Sequence, residues 1–130
     1  MTGAPLTPTP TILIVEDDPG AVAIFTQVLT SHGYGVQVAR DAESGLLEIQ
    51  RALPAAILLD LHLPVADGIE FLRRLRTSNP GARMPIAVVT GDYFVDEDIF
   101  CELQALHARV HFKPLWEEDL LTLVDELLRS

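Results

Sequence analysis

Cysteine is nearly absent: Cys101 stands alone, so no intrachain disulfide can staple the fold. With only four scattered histidines beside it, the chain offers no zinc-ligand spacing. Basic residues are scarce too. Nine Lys and Arg against 19 Asp and Glu leave a net charge of −10, which repels a phosphate backbone over most of the surface and argues against direct nucleic-acid binding. No apolar run approaches the roughly 18 or more residues that a bilayer-spanning helix needs. The opening MTGAPLTPTP lacks the basic and apolar regions of a secretory signal. These absences point to a cytoplasmic chain without membrane insertion.

What is present suits one domain: 130 residues, 48% of them hydrophobic, build a single core. Residues 1–10 carry three prolines and are expected to be a flexible tail, leaving 11–130 as the domain. From Thr11 onward, short β-rich apolar runs alternate with segments whose apolar residues recur every three or four positions. That alternation predicts five βα units around a parallel sheet, a doubly wound α/β sandwich.

The predicted strands are 11–15, 35–39, 55–59, 85–89 and 110–112. The first helix runs from Pro19 to His32 with Val22, Phe25, Val28 and Leu29 on one face; the second is capped by Asp41 with Ala42, Leu46, Ile49 and Leu53 inward. The third starts at Gly68 after a loop from Leu61 to Asp67, turns Ile69, Leu72 and Leu75 inward and stops at Asn79-Pro80-Gly81. The fourth spans Asp92 to His107 with Ile99, Leu103 and Leu106 at helical spacing. The last spans Trp116 to Arg129, with Leu120, Leu123, Val124 and Leu127 on one side and Trp116 as a packing anchor.

In such a sandwich, ligands sit beyond the carboxyl ends of the strands. The residues found there are Glu16 and Asp17 after the first strand, Asp60 after the third, Thr90 after the fourth and Lys113 after the fifth. Three converging carboxylates raise one another's pKa unless a cation compensates. Oxygen donors with no soft ligand nearby select a hard ion, and Mg²⁺ suits an open two-carboxylate site. A phosphoryl group drawn to that ion needs a nucleophile, charge neutralisation and a hydrogen-bond donor. Asp60, Mg²⁺ with Lys113, and Thr90 supply them respectively, so the set reads as phosphoryl transfer onto Asp60.

Four motifs, in order, carry a resemblance: Ile12-Leu13-Ile14-Val15-Glu16-Asp17-Asp18; Leu58-Leu59-Asp60-Leu61-His62-Leu63-Pro64-Val65-Ala66-Asp67-Gly68; Val88-Val89-Thr90-Gly91; and Phe112-Lys113-Pro114-Leu115. From about Thr11 to Leu128 the chain resembles the receiver domains of two-component response regulators. The resemblance implies a flavodoxin-like (βα)5 three-layer sandwich with sheet order 2-1-3-4-5. It implies that Asp60 accepts a phosphoryl group from a phosphohistidine of a sensor kinase or phosphotransfer protein. Asp17, Asp60 and the His62 backbone carbonyl would hold Mg²⁺, with Glu16 acting through water. Lys113 and Thr90 would contact the phosphoryl oxygens, and the side chains of His62 and Asp92 would set the phosphate's lifetime. Such a domain is a signalling switch rather than an enzyme. Its usual docking face corresponds here to residues 92–129, for a downstream protein or a second copy of the chain.

One departure stands out: many receivers carry an aromatic residue three positions before the lysine, and here that position is Val110. A phosphorylation-independent pseudo-receiver and a Mg²⁺-dependent aspartyl-phosphate phosphatase are the alternative functions. The phosphatase reading suffers because His62, not a second acid, stands two residues beyond Asp60. Asp18 and Asp67 are read as helix caps outside the site, His107 and His111 as residues separated by a helix end, and Cys101 as a thiol without catalytic work.

Overall fold

Three central runs rich in Ile, Leu and Val, 12–15, 56–59 and 86–89, form the heart of the sheet because parallel strands covered on both faces bury side chains on both sides. The computed structural model describes residues 9–60, 65–78, 83–90, 97–112 and 115–129, with the backbone alone at 60 and 65–67. In chain order the elements are β1 (Thr11–Val15), α1 (Pro19–Ser31), β2 (Gly35–Ala39), α2 (Ala42–Arg51), β3 (Ala56–Asp60), α3 (Val65–Arg76), β4 (Ile86–Thr90), α4 (Glu97–Ala105), β5 (Arg109–Phe112) and α5 (Glu117–Leu128). The strands are all parallel, in the order β2-β1-β3-β4-β5, which is the doubly wound, flavodoxin-like sandwich expected.

Strand alternation divides the core in two. Leu13, Val15, Ile57, Leu59, Ile86 and Val88 face α2, α3 and α4, where Phe71, Leu72, Leu75 and Leu103 meet them. Ile12, Ile14, Ala56, Leu58, Ala87 and Val89 face α1 and α5, where Phe25, Leu29, Leu120, Leu123, Val124 and Leu127 close the other layer. Val110 lies at the margin of the first cluster, half-buried.

Several boundaries differ from the sequence expectation, each for a local reason. β4 opens at Ile86 rather than Pro85, because proline has no N–H to give the ladder, although its carbonyl accepts from the Ile57 N–H at 2.9 Å. β3 is shifted one residue and carries Asp60 as its last member. α2 ends at Arg51, and Ala52 is already extended at φ −153°, ψ 119°. Leu53 precedes Pro54, a position pushed away from helix, so it leaves the inner stripe and is 54% exposed. α3 begins at Val65, three residues before Gly68, because Val65 continues the Ile69–Leu72 spacing one turn back. Asp67 and Gly68 therefore lie inside the helix rather than at its start. Trp116 is 69% exposed and does not anchor α5 by packing. The turn at 79–81 and the fourth helix's expected start at 92–96 lie outside the described residues, as does most of the tail.

Two helices end in the same hydrogen-bond pattern with different residues at the left-handed position. After α1, Gly33 (φ 88°) lets its own N–H reach the Thr30 carbonyl at 3.1 Å and the Tyr34 N–H reach the Leu29 carbonyl at 3.0 Å. After α4 the corresponding bonds run from His107 to Gln104 at 2.9 Å and from Ala108 to Leu103 at 3.0 Å, but the residue turned to φ 57° is His107. That turn ends α4 at Ala105 and leaves Leu106 outside the helix.

Candidate functional site at the carboxyl ends of the strands

The register of the sheet, more than any one side chain, assembles the site. Val15 pairs with Leu59, so Glu16 and Asp60 follow level with each other on adjacent strands, about 4.8 Å apart in the pairing direction. Asp60 pairs with Val89, which places Thr90 one residue further along β4. Thr90 in turn pairs with Phe112, the residue before Lys113 in the sequence. The two acids and the threonine named from sequence thus converge with the backbone of Asp60 at one end of the sheet. The Asp60 side chain, His62, Asp92 and Lys113 lie outside the described residues.

Glu16 and Asp17 differ in a way their adjacency hides. Glu16 is fully buried, its N–H bonded to the Ala39 carbonyl of β2 at 2.9 Å. Its Oε2 accepts from the Asp17 N–H at 3.0 Å and the Asp18 N–H at 3.3 Å. Two amides of the following turn, both on this one carboxylate oxygen, hold that turn in place. Asp17 is exposed at the mouth of the crevice. Asp18 caps α1, its Oδ1 accepting from the Gly20 N–H at 3.2 Å, so its role is the cap read from sequence. Thr90 is 3% exposed at the end of β4.

Among the described side chains, this end of the sheet offers oxygen donors in the buried Glu16 carboxylate, the exposed Asp17 carboxylate and the Thr90 hydroxyl, with β3 ending at the Asp60 backbone. That donor set fits a hard divalent cation and not a thiophilic one. Among the described residues no three His, Cys, Asp or Glu side chains come together as a metal-binding group. Beside the acids, a cleft of about 440 Å³ runs between α1 and β2, lined by Asp17, Pro19, Val22, Thr26, Val38 and Arg40 among others. His107 and His111 both border a second groove, of about 570 Å³, between α4 and β5. They do so from the loop after α4 and from β5, not from one helix face. Burial pushes the His111 imidazole below its ordinary value, with Glu126 opposing and Arg109 reinforcing. Cys101 is exposed on α4.

Arg76 was not singled out by the sequence reading. The last residue of α3, it reaches three backbone carbonyls, of Met84, Leu106 and His107. The available signal is its spacing, four residues after Leu72, which sets a charge on the apolar stripe where the helix should face the core.

The chain matches the response regulator receiver domain family over residues 12–125. It is 30% identical over 119 residues to the probable transcriptional regulatory protein TcrX of Mycobacterium tuberculosis, an alignment that takes in 92% of this chain and 50% of that protein. It is 35% identical over 118 residues to the response regulator MprA of Mycobacterium leprae, covering 91% and 50% respectively. The chain thus spans about half the length of the curated relatives it matches. Among solved structures, the chemotaxis protein CheY4 of Vibrio cholerae superposes with a TM-score of 0.84 at 26% identity, covering 93% of this chain and 100% of that one. A CheY-like receiver domain protein from Methanospirillum hungatei gives 0.84 at 29% identity, covering 94% and 95%. With the family matched across nearly the whole sheet-and-helix domain, the chain belongs to the receiver domains of two-component response regulators.

Proposed function

We propose that this receiver takes a phosphoryl group onto Asp60 from a phosphohistidine of a sensor histidine kinase or phosphotransfer protein. The observation that carries the reading is the register that sets Glu16, Asp17, Asp60 and Thr90 around one strand-end crevice. An Asp60 carboxylate oxygen attacks phosphorus as the bond to the donor's imidazole nitrogen breaks, and the electron pair returns to that ring. Asp17, Asp60 and the His62 carbonyl would hold Mg²⁺, with Glu16 acting through water; bound there, the ion supplies charge neutralisation for the phosphoryl oxygens. Lys113 pairs with those oxygens, and Thr90 donates a hydroxyl hydrogen bond. Glu16, kept inside by the amides of Asp17 and Asp18, fixes the turn that presents Asp17.

The protein is a signalling switch, and its own catalysis extends to accepting the group and losing it to water. The output face is residues 92–129, read by a downstream protein, and the chain works in the cytoplasm. No described helix is long and apolar enough to cross a membrane. The test is incubation with Mg²⁺ and acetyl phosphate followed by intact mass. Gain of one phosphoryl group, absent in Asp60→Asn, supports the proposal; absence of gain with acetyl phosphate and with a phosphorylated donor domain overturns it.

A further inference from the structure

Helix α4 is fastened firmly at one end. At its carboxyl end, Arg76 of α3 donates from Nε to the Leu106 carbonyl at 2.8 Å and from Nη2 to the His107 carbonyl at 3.2 Å. Its Nη1 donates to the Met84 carbonyl at 2.7 Å, just ahead of β4. The guanidinium fork thereby ties the end of α3, the turn after α4 and the approach to β4 together through three nitrogens, which the compact ammonium of a lysine cannot match. The Leu106 and His107 carbonyls lie in the turn just past the carboxyl end of α4, so the cation also sits near the negative pole of that helix. Leu103 is fully buried and Ala108 is buried behind the left-handed turn at His107. Arg73 adds an ion pair to Glu102, one residue earlier.

The amino end of α4 is held differently. Glu97 and Asp98 are exposed, Ile99 and Phe100 are half-buried, and Leu103 is the buried residue of the helix. In sequence this is the end of α4 nearer Thr90. α4 is nine residues long, about 13 Å, and a turn of roughly 10° about its carboxyl end would move Glu97 by about 2 Å.

We infer that Arg76 is a positioning residue of the switch: it clamps the carboxyl end of α4, so that occupation of the phosphoryl site displaces α4 at its Glu97 end, by pivoting rather than by sliding. This rests on the phosphoacceptor reading above. Burial of the guanidinium, which holds it below the ordinary arginine value, fits a group enclosed by its acceptors. With that end fixed, the core around the buried Leu103 need not repack when the helix tilts.

The test uses the full chain with Mg²⁺ and beryllofluoride as phosphoryl mimic, read by residue-resolved amide shifts and hydrogen exchange. In the wild type, shifts and exchange should change at residues 97–102, with Leu106, His107 and Ala108 unmoved. In Arg76→Met, exchange at Leu106, His107 and Ala108 should rise by about tenfold without the mimic, and their shifts should now respond to it. In Arg73→Met, which removes the pairs to Glu102 and Glu70 but leaves the Arg76 bonds in place, the wild-type division should persist. A purely structural Arg76 would lower protection without making the carboxyl end respond to the mimic, and that result overturns the inference. So does a wild-type response spread evenly along α4, which needs no variant to fold. If Arg76→Met does not fold, Arg76→Lys keeps the charge without the fork and should show the same loss of division. Phosphorylation seen by mass with an even response defeats the pivot alone; no phosphorylation and no response defeats the functional reading and the pivot with it.

Discussion

Replacing His107 with glycine isolates the energy of one backbone angle. His107 sits at φ 57°, where an L-residue crowds its Cβ against the following carbonyl at roughly 1–2 kcal/mol. Glycine removes that cost but adds freedom to the unfolded chain worth about 0.5–1 kcal/mol. The His107 side chain is exposed, so little packing is lost, and the backbone bonds to Gln104 and Arg76 survive the change. The difference favours the variant by about 1 kcal/mol, a rise of about 3–5 °C in melting temperature for a chain of this size. The fold contains its own control in Gly33, at φ 88°, where an added Cβ would meet nothing within 4 Å. Gly33→Ala should therefore destabilise by about 1 kcal/mol through backbone angle alone. Urea and thermal unfolding of the two variants give the answer. A destabilised His107→Gly, or a neutral Gly33→Ala, would refute the account of both helix ends.

Gly45 in α2 poses the reverse contest: helix propensity favours alanine by about 1 kcal/mol, but the new Cβ would lie 2.9 Å from Phe71 Cε1 and 3.3 Å from Val15 Cγ2. Overpacking at about 1–3 kcal/mol should win, so Gly45→Ala lowers the urea midpoint, and Phe71→Leu should relieve part of the loss in a double-mutant cycle. Asp41→Ala removes the cap whose Oδ1 accepts from the Ser44 N–H at 2.7 Å and should cost about 1 kcal/mol at neutral pH. The same bond from the Ser44 amide holds the Asp41 carboxyl below its ordinary value. Its stabilisation is therefore present above the unfolded pKa and lost as pH falls through the lower folded one; the wild-type and variant stabilities should converge in acid. His111, lowered chiefly by burial, favours its neutral form in the fold, so stability should decline as pH drops below the unfolded value of about 6.5. His111→Gln should flatten that decline in unfolding midpoints measured between about pH 7 and pH 5.

The element order was legible because its signals are local. The unbroken apolar run Ile57-Leu58-Leu59 marks a central strand, and Asp41 with Ser44 marks a helix start without knowledge of anything distant. The site was legible as positions, since parallel strands bring their carboxyl ends together whatever their sequence. What stayed hidden was tertiary. Glu16 and Asp17 are neighbours of like chemistry, yet one is buried and amide-bound while the other is exposed, because the turn direction decides it. Leu53 looked like core until its place before Pro54 took it out of the helix, and Trp116 looked like an anchor by size alone. Arg76 reads as an ordinary basic residue in a last helical turn; its partners are eight, 30 and 31 residues away.

The sheet has two outer margins, and they are unequally guarded. β5 is four residues long and carries Arg109, paired with Glu126 of α5; brevity and charge both discourage an incoming strand. β2 is five residues of Gly-Val-Gln-Val-Ala without a formal charge, and Val38 is 39% exposed. Phe112 of β5 is as exposed as Val38, so it is the missing charge that makes β2 the margin where lateral strand addition should begin; Val38→Lys should lower self-association read by light scattering at high protein concentration.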